Sequence, residues 1–303
     1  MNTPLRLSLF ALGLLAIFGA SFGAGHLTGP VTTAEDGHDS GHSAPVDAPV
    51  PGGLQITQDG YRLQLLTPAL STTDTAPVRL RVLGPDGSPV TAYTPTHDKD
   101  LHLILLRRDL TGYQHLHPQL GAGGVWEVPT QVPAAGQYRV FADFQPAGRD
   151  RPLTLGADVP APGLYQPTAL PSPSRTASVD GYTVTLDGDL LPGTSSTLTL
   201  TVSKDGVPVT DLQAYLAAYG HLVAVRDGDL AYLHVHPDGH PGDGRTNPGP
   251  QIVFHTEVPS AGAYRLFLDF RHQDVVRTAA FTVLAGDAGA PASPTTPPHG
   301  GHG

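Results

Sequence analysis

The sequence predicts an all-β protein: two tandem immunoglobulin- or cupredoxin-like antiparallel sandwiches following an N-terminal hydrophobic helix. Three observations predict it. A duplication runs through the chain, short apolar or alternating stretches recur between turn residues, and no long stretch has helical periodicity with caps. The markers of the duplication keep their order. "QDGYRLQLL" (58–66) matches "VDGYTVTLD" (179–187), and "PDGSPVT" (85–91) matches "KDGVPVT" (204–210). "VPAAGQYRVFADF" (132–144) matches "VPSAGAYRLFLDF" (258–270). In each copy, stretches such as "YRLQLL", "APVRLRVL", "LHLILL" and "YRVFADF" read as strands, and the Asp-Gly pairs mark tight turns. This spacing of strands and turns suits a sandwich.

The elements follow in order. Residues 1–24 carry one positive residue, Arg6, and then an uncharged apolar run, the pattern of an export signal or of a membrane anchor. Either reading places the rest of the chain outside the cytoplasm, secreted or anchored by one span, with Arg6 on the inner side. Residues 25–53 form a polar Gly/Pro-rich tether with His26, His38 and His42. Repeat 1 spans 54–160, a proline-rich linker 161–178, and repeat 2 spans 179–286. A Gly/Pro tail, 287–303, ends with His299 and His302. Such His-containing tracts are candidates for weak metal capture.

Composition narrows the chemistry. The net charge is −10 and Lys99 and Lys204 are the only lysines, so no basic surface suits nucleic acid. There is no cysteine, and the one methionine is Met1. Any metal site must therefore use imidazole, carboxylate, backbone or water, a donor set suited to Cu(II) or Zn(II). No organic cofactor is expected. No G-x-S-x-G, Walker loop or H-E-x-x-H motif occurs, and no glutamate follows the H-x-H pairs closely, so an enzyme is not expected.

Fifteen histidines stand out, and six of them repeat at an offset of 119 residues. "HLILLRRDLTGYQHLHP" carries His102, His115 and His117; "HLVAVRDGDLAYLHVHP" carries His221, His234 and His236. In the second copy a two-residue loop at Asp227-Gly228 pairs Arg226 with Asp229, Val225 with Leu230, Val223 with Tyr232 and His221 with His234. His236 then shares the face by strand alternation, and three imidazoles converge. The same register in the first copy sets His102 against His115 with His117 beside them, although "RRDLTG" lacks the turn signal. Three nitrogens with a position left over make a first shell for a divalent metal. The competing account turns this apolar face into the sandwich core, where neutral imidazoles hydrogen-bond to one another or to Asp143 and Asp269. Those aspartates sit on apolar strands and need partners. Pairing with Arg139 or Arg265 is the simpler account, and support of a histidine N–H is the other. His97, His240, His255 and His272 are candidates of second rank.

The strands "HLHP" and "HVHP", followed by "AGQYRVFADF" and "AGAYRLFLDF", resemble exported bacterial proteins of the heavy-metal-binding type with YtkA-like or immunoglobulin-like sandwich domains. The resemblance covers roughly residues 54–286. It implies an extracytoplasmic sandwich that handles copper or another heavy metal. It supplies no ligand set. The partners expected of the chain are metal ions, the cell membrane through an uncleaved N-terminal segment, and an envelope protein. The absence of internal methionine departs from the methionine-rich copper carriers of similar fold.

Overall fold

A computed structural model describes Leu12 and residues 50–286. The signal or anchor segment 1–24 apart from Leu12, the tether 25–49 and the tail 287–303 lie outside the described residues. Among the described residues no helix is long and apolar enough to cross a membrane.

Repeat 1 contains β1 (Thr57–Gln58), β2 (Tyr61–Leu65), β3 (Ala76–Leu83), β4 (Leu101–Arg107), β5 (Gln114–Leu116), β6 (Gln119–Leu120), β7 (Val125–Thr130), β8 (Gly136–Phe144) and β9 (Leu153–Ala161). They form two antiparallel layers, β1-β2-β3-β7-β6 and β5-β4-β8-β9. Repeat 2 contains β10 (Thr176–Val179), β11 (Tyr182–Asp187), β12 (Ser195–Lys204), β13 (Val207–Pro208), β14 (Gly220–Arg226), β15 (Tyr232–Pro237), β16 (Gln251–Glu257), β17 (Gly262–His272) and β18 (Val275–Ala285). Here β15 pairs with β14 through Tyr232–Val235 and then with β16 at His236 and Pro237. The two layers of repeat 2 are thereby joined into one continuous ladder, β10-β11-β12-β16-β15-β14-β17-β18.

Each sandwich has its own core. In repeat 1 it includes Leu63, Leu80, Leu103, Leu105, Trp126, Val140 and Phe144; in repeat 2, Leu200, Leu222, Ala224, Phe254, Leu268 and Phe281. A third apolar cluster belongs to neither. Ile104, Leu106, Leu110 and Phe141 of repeat 1 meet Val223, Val225, Leu230, Tyr232 and Phe267 of repeat 2. The two β4-type sheets therefore cover each other's outer faces. This explains why all seven residues of β4 are buried: successive side chains alternate between the sandwich core and the seam. Tyr113 stacks on Phe267 at 4.1 Å and 5°, and Tyr232 stacks on Phe141 at 5.1 Å and 28°, a pseudo-twofold exchange.

The chain enters repeat 1 as part of the fold. Gly53 N–H donates to Thr154 O (2.8 Å), Gly156 N–H to Gln55 O (2.8 Å) and Tyr232 N–H to Gly52 O (2.9 Å). The linker docks as well, with Thr168 N–H on Asp109 Oδ2 (2.8 Å) and Leu170 against the seam.

The hairpin register differs from the expectation by two residues. Val223 pairs with His234 and Val225 with Tyr232, in place of Val223 with Tyr232 and Val225 with Leu230. The loop is four residues long, not two. Arg226 N–H donates to Ala231 O, Leu230 N–H donates to Arg226 O, and Leu230 takes φ 63°. Two forces override the Asp-Gly signal. The Asp229 carboxylate accepts from Arg226 Nε (3.0 Å) and from the Ala231 N–H (3.1 Å), and Leu230 is buried in the seam. Repeat 1 uses the same parts in a loop one residue shorter, with Arg107, Asp109 and Leu110 (φ 62°), and likewise pairs Ile104 with His115. Continuing the ladder, His102 stands opposite His117, not His115. A shift of two keeps every side chain on its face.

Candidate metal centre

The faces that carry His102, His115 and His221 point neither into a sandwich core nor to an open edge. They lie at one end of the seam between the repeats. His102 on β4 shares the seam face with Ile104 and Leu106, and His115 on β5 stands opposite Ile104. A nitrogen from each of His102, His115 and His117 lies within 4.8 Å of one from the others. His102 is fully buried, and the His115 side chain is 6% exposed.

Hydrogen bonds fix which ring nitrogens carry protons. His102 Nε2 lies 2.9 Å from Thr96 O, and a carbonyl only accepts, so Nε2 is the donor. His115 Nδ1 lies 2.9 Å from Asp269 Oδ2, a cross-repeat contact. Asp269 also accepts from Tyr113 OH (3.1 Å, Oδ2) and Thr278 Oγ1 (2.5 Å, Oδ1). Three donors on one carboxyl group fit the ionised, acceptor-only form. Burial and the Asp269 charge push the Tyr113 phenol well above its ordinary value, which keeps it a donor. His115 therefore donates through Nδ1 and presents Nε2 as a lone pair; His102 presents Nδ1. These two nitrogens are 3.0 Å apart. With Asp269 accepting from His115, two neutral rings would oppose lone pairs at that distance, an opposition that a proton or a metal ion between them relieves.

His117 is the third corner. Its Nε2 is buried and has no hydrogen-bond partner among the described residues. Burial, followed by the neighbouring His115 and His102, pushes its pKa down to about 3. It is a neutral, available donor nitrogen at any physiological pH.

Repeat 2 mirrors part of this arrangement. His221 Nε2 lies 2.8 Å from Tyr215 O, as His102 does from Thr96 O. Both carbonyls sit at tight turns with two consecutive left-handed residues, His97 (φ 49°) and Asp98 (φ 61°) in one, Leu216 (φ 52°) and Ala217 (φ 57°) in the other. β15 carries His234 and His236 at the backbone positions that correspond to His115 and His117, with His234 opposite Val223.

The arginine pairing expected for the strand aspartates is not what forms. Arg139 is spent on Asp158 and on the Gly53 and Leu54 carbonyls, and Arg265 donates to Thr282 Oγ1. Both arginines alternate onto the same face as the aspartates, but a strand spaces them four residues apart, and nearer acceptors win. Asp143 accepts from Thr154 Oγ1 at 3.3 Å.

Of the second-rank histidines, His97 joins the centre, with its ring 5.1 Å from that of His221 and 6.1 Å from that of His102. His240 lies exposed in the 237–250 loop, which is organised by Asp243 through the N–H groups of His240, Arg245 and Thr246. His255 is exposed beside Thr197 (3.3 Å). His272 is held between Tyr182 OH (2.6 Å) and Asp211 (3.0 Å) in repeat 2. Tyr113, Tyr215 and the Thr96 carbonyl were not anticipated; only an apolar-strand aspartate in need of a donor hinted at them.

A family model described as a domain of unknown function (DUF8832) matches the chain twice, over residues 56–161 and 177–287. Among curated proteins none matches. Of the solved structures similar to it, a chimeric titin Z1Z2 is 12% identical over 74% of this chain and 96% of its own, with a TM-score of 0.18. The D0-D1 domain of intimin is 10% identical over 74% and 96%, with a TM-score of 0.20. The chicken CNTN1 FN1-FN3 domains are 9% identical over 72% and 68%, with a TM-score of 0.20.

Proposed function

The chain belongs to the DUF8832 family, and we propose that it binds or buffers a divalent transition metal of the Cu(II) or Zn(II) class in the seam between its repeats. His102, His115 and His117 are the ligands, and the protein works outside the cytoplasm, anchored or released through its N-terminal apolar segment. One observation carries the reading: the 3.0 Å approach of His102 Nδ1 to His115 Nε2 while the other nitrogen of each ring already donates to a carbonyl or a carboxylate. Two nitrogens about 2.05 Å from a tetrahedral ion sit about 3.3 Å apart, so the pair needs to open by only a few tenths of an ångström. His117 supplies a third nitrogen already stripped of water and of its proton. Asp269 accepts the second N–H of His115, the support that metal-ligating histidines ordinarily have. The donor set favours Cu(II) or Zn(II) over the sulfur-preferring Cu(I). The likeness to exported heavy-metal-binding proteins with YtkA-like domains points the same way.

A second reading has its own support. A proton shared by His102 and His115, beside the Asp269 carboxylate, would satisfy the same contact and make the histidines a purely structural clasp in an envelope module. Titration of the purified protein with Cu(II) and Zn(II), by calorimetry in two buffers of different ionisation enthalpy, separates the two. The metal reading expects tight binding at pH 7 with release of about one proton per triad ion, since the ion replaces the shared proton. His117→Leu removes a ligand without breaking a hydrogen bond, and should weaken binding at least a hundredfold. Unchanged binding by that variant sinks the metal reading, and no binding by the parent leaves the clasp.

A further inference from the structure

We propose that the seam holds one composite two-ion centre shared by both repeats, its second position lying between His97 of repeat 1 and His221 of repeat 2. The inference rests on the metal-binding reading and extends it. An imidazole nitrogen about 2.05 Å from a metal places the ring centroid about 3.2 Å from it, so two tetrahedral ligands have centroids about 5.2 Å apart. The triad meets that spacing, with centroids at 5.3 Å (His102–His115), 5.1 Å (His102–His117) and 4.7 Å (His115–His117). The His97–His221 pair meets it too, at 5.1 Å, and its members come from different repeats.

His221 is turned by the same device as His102. Its Nε2–H donates to Tyr215 O, so in the neutral ring Nδ1 is the nitrogen that carries the lone pair. His97 has no counterpart in the duplication, where Leu216 occupies the matching place in the matching turn. The departure from pseudo-symmetry at this position adds an imidazole beside His221. The His115 and His221 rings are 6.1 Å apart, which joins the second position to the triad. Two-ion sites place their metals about 3.5–4 Å apart. Charge fits as well: Asp143 and Asp269 pair across the strands with His102 and His221 and are 4% and 2% exposed, so two buried carboxylates face the seam. Buried carboxylates favour cations close by.

The test is stoichiometry and magnetic coupling on the full-length protein, with Zn(II) counted by elemental analysis after equilibrium dialysis and Cu(II) followed by electron paramagnetic resonance. The parent should hold two ions, and the di-copper form should show a half-field signal. His97→Leu installs the residue that repeat 2 already accommodates at this turn, so folding is preserved. It should reduce the stoichiometry from two to one, abolish the half-field signal and leave the remaining ion's Kd within about threefold. A parent that binds one ion, lost in His117→Leu, overturns the two-ion centre while leaving the proposed function intact. Two ions retained by His97→Leu also overturn it, and a parent that binds none removes both.

Discussion

Acidification should destabilise the metal-free protein through His117, and the cost can be worked from its surroundings. The ring ionises near 6.5 in an unfolded chain and at about 3 in the fold, where burial, then His115 and His102, oppose a second positive charge. Between those values the unfolded state binds a proton that the native state refuses, so stability falls as pH falls. The stability present above pH 6.5 is lost down to about pH 3. Each unit is worth at most about 1.4 kcal/mol, so the ceiling at pH 4.5 is about 2.7 kcal/mol. Solvent reaches part of the ring, and screening lowers the expected loss to about 1–2 kcal/mol. The assay is urea unfolding with chelator at pH 7.0 and 4.5, for the parent and for His117→Leu. Carboxylate contributions are common to both proteins and cancel in the difference. The parent should lose about 1–2 kcal/mol more than the variant across that interval. Identical pH dependence of the two would refute the assignment of His117 as a buried neutral ring.

Two further substitutions probe the seam and the entry segment. Phe267→Ala removes the ring stacked on Tyr113 and opens the third apolar cluster; it should cost about 3–5 kcal/mol in urea unfolding, and a loss under about 1 kcal/mol would mean that the repeats do not rely on this face. Gly156→Ala places a Cβ 2.0 Å from Gly53 O and 2.8 Å from an Arg139 nitrogen, too close for either backbone to stay put. Residues 50–56 should then lift from β9 and be cut faster in limited proteolysis, and an unchanged cleavage pattern would contradict the packing of that segment.

The duplication, the all-β class and the gathering of histidines on one face were legible because they depend on order and parity. Parity is the robust part. The hairpin forms two residues out of the anticipated register, yet His102, His115 and His117 stay together because the strand period is two. The register itself was not legible. Asp227-Gly228 is a strong signal for a two-residue loop, but nothing local reports that Leu230 will be drawn into an apolar seam or that Arg226 will bind Asp229 across the loop. Asp269 was recognisable as an aspartate in want of a partner. Its partner, His115, lies 154 residues away in the other repeat, beyond any local pattern.

The seam could nevertheless have been inferred from "LHLILL" and "HLVAV". A sandwich strand with one wet face alternates, and these stretches do not. Each sandwich has a single inner face, so the other apolar face of each strand required a cover outside its own domain. Both repeats contain such strands, β4 and β8 in one and β14 and β17 in the other, and the economical cover for each pair is the other. Once the repeats are docked this way, His97, His102, His115 and His221 come within reach of one another across the seam. They share one end of the seam with two buried aspartates, so the proposed metal site is a property of the docked pair and not of either repeat.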